Sequence, residues 1–334
     1  MFKTVIIGSA GHINYVTNPS AANGPSYVIT AVSDGPEQQG CEKAYAATLK
    51  LNPSVKRYAS YIEMLDKEAP DIAVVAPYYG YNAEVSMECL RRGTHVFADK
   101  PVATEFYDLN NLKKLYYSQN KAKLSTMMGV RYAPCFAAAK TAVDEGKIGK
   151  VRLINAQKSY RLGTRADFYS DRKLYGGTIP WVGSHAIDWF YWVSGSKFLE
   201  VYASHSNIGN KEGYNFEVSA LCLFKMENEI IASASIDYLR PQASPSHGDD
   251  RLRVVGTEGV IDVVDGRANL INADGTRELH CDNQTGVFAE FAKSLLGLPN
   301  NCVSAEDAFA VTEACLLARE SADTGKAIMF DNPQ

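Results

Sequence analysis

Through the first 130 residues, short unbroken apolar runs alternate with segments whose apolar residues recur every three or four positions. "TVIIG", "YVITAVSD", "DIAVVAP" and "THVFADKP" are rich in Val and Ile without strict alternation, the pattern of strands buried on both faces. Between them "YIEMLDKEAP" and "NAEVSMECLRRG" carry helical spacing, the second with a stop at Gly93. "EFYDLNNLKKLYYSQNK" and "KLSTMMGV" add one more helix and strand. Repeated strand, helix, strand units predict a parallel, doubly wound sheet, an α/β domain over residues 1–130.

Beyond residue 130 the rhythm changes. "VRLINAQKSYRL", "LEVYASHS", "FEVSALCLFKM" and "EIIASASIDYL" follow one another with short polar breaks, and "RLRVVGTEGVIDVV" and "NLINADGTREL" read as hairpins turning at Gly and Asp-Gly. Residues 131–334 are therefore expected to form a second domain of the α+β kind around an antiparallel sheet. Near its end, "SAEDAFAVTEACLLARESADTGK" has Ser304 at an N-cap, acids in the first turn and Gly325 past the last, the marks of a well-defined helix.

Composition narrows the classes. With 334 residues, 46% hydrophobic and 22% charged, the chain supports two ordinary cores. A net charge of -4 with scattered Lys and Arg argues against nucleic acid as a partner. No apolar stretch approaches the roughly 20 residues that span a bilayer, and no signal-peptide pattern follows Met1, so the expectation is a cytoplasmic protein. The seven cysteines form no CxxC and lie near no paired histidines, which predicts reduced, packed thiols and no metal site.

A strand that runs into a small-residue turn at a helix start presents backbone N–H groups to an anion. "TVIIGSAGHINYV" is such a place, with Gly8 and Ala10 at the first two glycine positions of the G-x-G-x-x-G fingerprint and Ile13 at the third. Gly11 adds local freedom, and His12 either faces a phosphate or stands solvated in the first turn. Asp34 ends the second strand, where an acid binds the adenosine ribose, although it lies further beyond Gly8 than the usual spacing of about 20 residues. The loop "NPSAANGPS" accounts for the excess. A carboxylate there repels a 2'-phosphate and no Arg follows in "DGPEQQ", which favours NAD over NADP; the alternative is that Asp34 caps the next turn. Pro77, closing "DIAVVAP", and Asp99 and Lys100 in "ADKP" complete the candidate cofactor-binding set. Lys100 follows a buried strand at its C-terminal end, where ligands bind in open α/β sheets, and Pro101 fixes the chain after it.

The run "DIAVVAPYYGYNAEVSMECLRRGTHVFADKPVAT", then "GVRYAP", "EGKIGKV", "GGTIPWVGSHAIDW", "LRVVGTEGVIDV" and "ARESADTGK", resembles the Gfo/Idh/MocA family, named for glucose-fructose oxidoreductase and inositol dehydrogenase. The resemblance implies an N-terminal Rossmann domain, a C-terminal domain with a large, mostly antiparallel sheet that often mediates dimers or tetramers, and a nicotinamide at their junction. It places Lys100, from a Glu-Lys-Pro tripeptide that here reads Asp-Lys-Pro, beside the substrate. The family pattern Asp-x-Gly-x-His-x-x-Asp carries the catalytic histidine onto His185. A buried imidazole is a natural general base for a hydroxyl proton.

Where that pattern has its first Asp, this chain has Trp181, which offers one donor and an apolar face. Either another carboxylate compensates, with Asp188, Asp249 and Asp250 the candidates, or the substrate stacks on Trp181. Arg131 and Tyr132 of "GVRYAP", Tyr160 and Arg161 of "KSYRLG", and His247 of "SPSHGDDR" join the expected substrate residues. The expected activity is NAD-dependent oxidation of a hydroxyl on a sugar, cyclic polyol or related derivative. Two rival readings stay open: NAD-dependent glycoside hydrolysis through transient oxidation, which some relatives perform, and a non-catalytic NAD-binding sensor.

Overall fold

The computed structural model describes residues 1–18, 24–281 and 285–331. Pro19–Asn23, within the loop that lengthens the approach to Asp34, lie outside the described residues. The chain divides into two compact units: one of residues 1–129, 173–176 and 285–312, the other of residues 130–172, 177–284 and 313–334.

In the first unit, β1 (Phe2–Ile7), β2 (Tyr27–Ser33), β3 (Lys56–Tyr58), β4 (Ile72–Val75), β5 (His95–Ala98) and β6 (Leu124–Thr126) pair in the order β3-β2-β1-β4-β5-β6. Every pairing is parallel. The unbroken Val and Ile runs follow from this, because helices cover both faces: Val5, Ile6, Ile7 and Ile72–Val75 have no exposed surface. The order reverses between β1 and β4, the switch point at which an open α/β sheet leaves a crevice beyond its strand ends. Phe97 on β5 packs against Phe288 and Phe291 of the helix Val287–Leu295, at 5.1 and 5.8 Å between rings. Fully burying such aromatics contributes about 2–3 kcal/mol each.

The second unit holds β7 (Val151–Tyr160), β8 (Phe198–Ser206), β9 (Ser219–Met226), β10 (Ile230–Asp237), β11 (Gly248–Gly256), β12 (Gly259–Val264), β13 (Arg267–Asn272), β14 (Gly275–Leu279) and β15 (Ile328–Met329). They form one sheet in the order β14-β13-β12-β11-β7-β10-β9-β8-β15. The sheet is mixed rather than purely antiparallel, because β7 and β10 run parallel. The chain between them first crosses as the helix Ser184–Ser194, and only then returns through the antiparallel strands β8 and β9. Alternation is clean where one face is covered: β9 buries Ala220, Cys222, Phe224 and Met226 and exposes Leu221, Leu223 and Lys225.

The helix Ala305–Thr324 begins with a reciprocal cap. Ser304 Oγ accepts the Asp307 N–H at 3.0 Å and Asp307 Oδ2 accepts the Ser304 N–H at 3.3 Å. No helix among the described residues is long and apolar enough to cross a membrane. Of the seven cysteines, Cys41, Cys89, Cys135, Cys222 and Cys315 are buried.

Candidate functional site

One candidate region lies within the first unit, at the switch point between β1 and β4. Gly8 leaves β1 with φ +74°, and a Cβ on it would stand 2.7 Å from the Pro77 Cα, so only glycine lets the turn meet the end of β4. The Ala10 N–H donates to Ala76 O at 2.9 Å, which ties the turn down. The helix that follows spans only Asn14–Thr17, shorter than the sequence suggests, so little helix dipole is available there. Ile13 caps it and is buried, packing where a third glycine would have left space.

Asp99 supplies what the glycines do not. Its Oδ2 accepts the His12 N–H at 3.0 Å, its Oδ1 lies 2.9 Å from His12 Nδ1, and Oδ1 also accepts the Lys100 N–H at 2.8 Å. One fully buried carboxylate thereby joins the first turn to the strand end that carries Lys100. His12 is paired rather than solvated: its stacked neighbour is Tyr15, with ring centres 5.8 Å apart. Burial acts to raise the Asp99 pKa, yet the His12 and Lys100 charges hold it below the ordinary carboxylate value. The approach is tight, since a Cβ on Gly11 would fall 1.6 Å from Asp99 Oδ2.

Lys100 is 1% exposed. Its backbone is held on both sides: Asn82 Nδ2 donates to Asp99 O at 3.1 Å and to Pro101 O at 2.9 Å, around a cis Lys100–Pro101 peptide. Asp34 directly follows β2, and its Oδ1 accepts the Cys41 N–H at 3.1 Å. Arg57 of β3 brings Nη2 to 3.6 Å of the same carboxylate, an arginine that a search of the residues just after Asp34 misses.

These features fit a dinucleotide. The cradle at Gly8 is one a side chain would fill, and the Ser9 and Gly11 N–H groups have no acceptor among the described residues. Ala10 and His12 have already committed theirs. The turn therefore offers fewer backbone donors than a full glycine fingerprint.

A second candidate region belongs to the other unit. After Gly177, at φ +99°, Ile179–Gly183 form one π-helical turn that passes into the helix Ser184–Ser194. Such single turns recur at functional sites. Trp181 is buried and meets Tyr169 edge-on at 6.5 Å. His185 opens the helix and is 2% exposed. Asp188 is not a spare carboxylate: Arg131 donates to it from Nε at 2.7 Å and from Nη2 at 2.5 Å, in a buried bidentate pair. The sequence proposed both as substrate groups; the structure joins them to each other. Asp249 is held by Arg251 and Arg240 at 2.8 and 3.3 Å, and Asp250 by Lys158 at 2.6 Å.

Tyr160 and His247 stack at 5.1 Å, and the Arg161 N–H donates to His247 O at 3.0 Å, so three expected substrate residues gather at the end of β7. Sequence reasoning missed their neighbours Lys158 and Arg165. Lys158 has no exposed surface, although it sits on a strand that alternates normally up to that point. Its cue was a charge at an inward-facing position. Also unforeseen is the set His205, Glu217 and Asp323, whose ligand atoms lie within 4.8 Å of one another. Arg172 bridges its two acids at 3.1 and 2.9 Å, so the cationic place between them is filled by a guanidinium.

Sheet order and turn define a dinucleotide-binding protein of the Rossmann type with an appended α+β unit. Two family descriptions match it: "Oxidoreductase family, NAD-binding Rossmann fold" over residues 2–127 and "GFO/IDH/MocA C-terminal domain" over residues 136–262. A Thermotoga maritima structure, provisionally described as an oxidoreductase, is 43% identical, with TM-score 0.93, over 98% of this chain and 100% of that one. The chain belongs to the Gfo/Idh/MocA family of oxidoreductases.

Inositol 2-dehydrogenase 1 of Saccharopolyspora erythraea is 21% identical over 91% of this chain and 90% of its own length. Levoglucosan dehydrogenase in complex with NADH shares the fold at TM-score 0.82 and 15% identity, over 98% of both chains. Across the curated relatives the matched share of the relative's own length varies, from 34% to 90%.

Proposed function

We propose that the protein is an NAD-dependent dehydrogenase that oxidises a hydroxyl of a sugar, cyclic polyol or related derivative, or reduces the matching carbonyl. The observation that carries this reading is the Asp99 carboxylate, which joins the nucleotide turn to the segment holding Lys100. Gly8, Ala10, Gly11, His12, Ile13, Asp34, Pro77, Asp99 and Lys100 would hold the cofactor. The Asp34 carboxylate favours NAD over its 2'-phosphorylated form. NAD, when bound, supplies a hydride acceptor.

The chain's own share is proton transfer and charge placement. His185 takes the hydroxyl proton, and the Lys100 ammonium steadies the oxygen as its charge develops. Trp181 offers the sugar ring a flat apolar face. The buried pairing of Asp188 with Arg131 favours stacking on Trp181 over replacement of the family Asp by Asp188. Names of relatives, an inositol dehydrogenase and a levoglucosan dehydrogenase, support the substrate class.

The test is NADH formation across a panel of sugars and polyols. His185→Asn should lower kcat about 10²–10⁴-fold while the NAD dissociation constant stays within about threefold. Full turnover by His185→Asn, or by Lys100→Met, removes the mechanism. Glycoside cleavage without net NADH would favour hydrolysis, and NAD binding with no turnover across the panel would favour the sensor reading.

The same reading makes the protein a cytoplasmic homo-oligomer. Tyr202, Leu221, Leu223 and Ile231, on adjacent strands of the large sheet, present one apolar face and are 46–60% exposed. Leu223→Lys should lower the sedimenting mass if that face pairs two copies.

A further inference from the structure

Around the end of β7, positive charge accumulates without matching acid. Lys158 Nζ is held by Asp250 at 2.6 Å and lies 4.8 Å from the Tyr160 ring centre and 5.5 Å from that of Trp189, one helical turn beyond His185. That pair is neutral as a whole. Arg161 and Arg165 are different: no carboxylate lies within ion-pair distance of either among the described residues. Two further acids of the neighbouring strands are engaged, Asp249 by two arginines and Asp237 by the Ser159 hydroxyl and the Leu239 N–H at 2.8 and 2.9 Å.

The two guanidinium groups are also incompletely bonded. The Nε of each is buried and has no hydrogen-bond partner among the described residues. A buried donor left unsatisfied is costly, more so when charged, and two such donors on residues joined by a hydrogen bond imply an acceptor that completes them. Arg165 is held flat: its Cζ lies 5.5 Å from the Tyr169 ring centre and 4.6 Å from that of Tyr238, and its Nη2 donates to Arg161 O at 3.2 Å. Tyr169 is the residue that meets Trp181 edge-on. His247, stacked on Tyr160, has its pKa lowered by burial and then by the Arg165, Arg161 and Lys158 charges, with Asp250 opposing them.

We propose that Arg161 and Arg165, with His247 at the rim, form a seat for an oxyanion, so that the substrate is a sugar or polyol derivative bearing a carboxylate or a phosphate. Planar guanidinium groups bind either anion through paired N–H bonds. The inference rests on the dehydrogenase reading for what happens to the hydroxyl, but the seat is a binding claim that can be tested alone. It also gives Trp181 a context. A site that grips its substrate by a charged end has less need of a hydroxyl-binding carboxylate, and the apolar face can carry the ring.

The experiment is calorimetric titration of the NAD-loaded, full-length protein with D-gluconate, D-glucuronate, D-glucose 6-phosphate and D-glucose at low salt. At least one anion should bind tenfold or more tightly than glucose and lose tenfold or more in Arg161→Gln and Arg165→Gln. Tighter binding of the carboxylates identifies a sugar acid, and tighter binding of the phosphate a sugar phosphate. Should Arg165→Gln fail to fold, Arg161→Gln decides together with the wild type, whose anion affinity must fall between 0.05 and 0.5 M salt while glucose binding does not.

Absence of binding by every anion, preference for glucose, or an anion affinity unmoved in the folded variants overturns the seat. NADH production from glucose alongside such a result would leave the dehydrogenase standing. Anion binding with no NADH from any member of the panel would do the reverse.

Discussion

The nucleotide turn and the segment around His185 solve opposite problems. The turn is built from backbone and needs side chains to be absent: Gly8 and Gly11 each touch a neighbour that a Cβ would strike. The His185 segment is built from side chains and needs them to be present, since Trp181, His185, Asp188 and Trp189 are all buried. One region is intolerant of added atoms and the other of lost partners. The first kind of constraint leaves a mark at single positions, and the second is distributed over pairs.

The largest effect is expected where a buried partner is lost. Asp188→Asn leaves the Arg131 guanidinium buried without its counter-charge, which should cost about 3–5 kcal/mol of stability in a denaturant titration. A loss below about 1 kcal/mol would show that the pair is not structural and return Asp188 to the list of substrate groups.

Next comes added bulk. Gly11→Ala should weaken NAD binding by about 2–3 kcal/mol, roughly a hundredfold in Kd. In Gly11→Ala/Asp99→Ala the second change removes the clash, so the double variant should bind NAD as Asp99→Ala alone does. Strict additivity of the two losses would mean that the atoms do not compete for one space.

Glu68 tests a buried acid outside both regions. Burial acts to raise its pKa, but hydrogen bonds from Lys56, Tyr58 and Lys3 lower it to about 2. The folded value is depressed, so its contribution is fully present above the ordinary carboxyl value and is lost as pH falls towards 2. Glu68→Gln should therefore cost on the order of 2 kcal/mol at pH 7, with the difference from wild type narrowing between pH 4 and pH 2. A difference that is flat in pH would remove the electrostatic account.

The smallest effect is expected from His12→Ala. It deletes one hydrogen bond to Asp99 while keeping the backbone one, for about 1 kcal/mol or a fewfold weaker NAD binding. No change at all would leave the Asp99 clamp to the backbone alone.

Legibility in the sequence follows the same division. The parallel strands of the first unit, Gly8, the helix stops at Gly93 and Gly325 and the Ser304 cap are local, and composition and spacing announce them. Asp99 with His12, Lys158 with Asp250 and Arg131 with Asp188 are separated by 87, 92 and 57 residues. Such partners are chosen by the order in which strands assemble, which no local pattern encodes. The parallel pairing of β7 with β10 was hidden for that reason, since both strands show ordinary half-buried alternation. His12 looked solvated because nothing near it in sequence could bind it.

The closeness of Gly11 to Asp99 also limits which routes mutation can take. Lengthening Asp99 to the Glu found in the family's tripeptide would drive a carboxylate into a turn that already lacks room for a methyl group. Asp99→Glu is thus strained as a single change. The turn would have to shift to admit it, so a chain with Glu at residue 99 should differ in the turn as well.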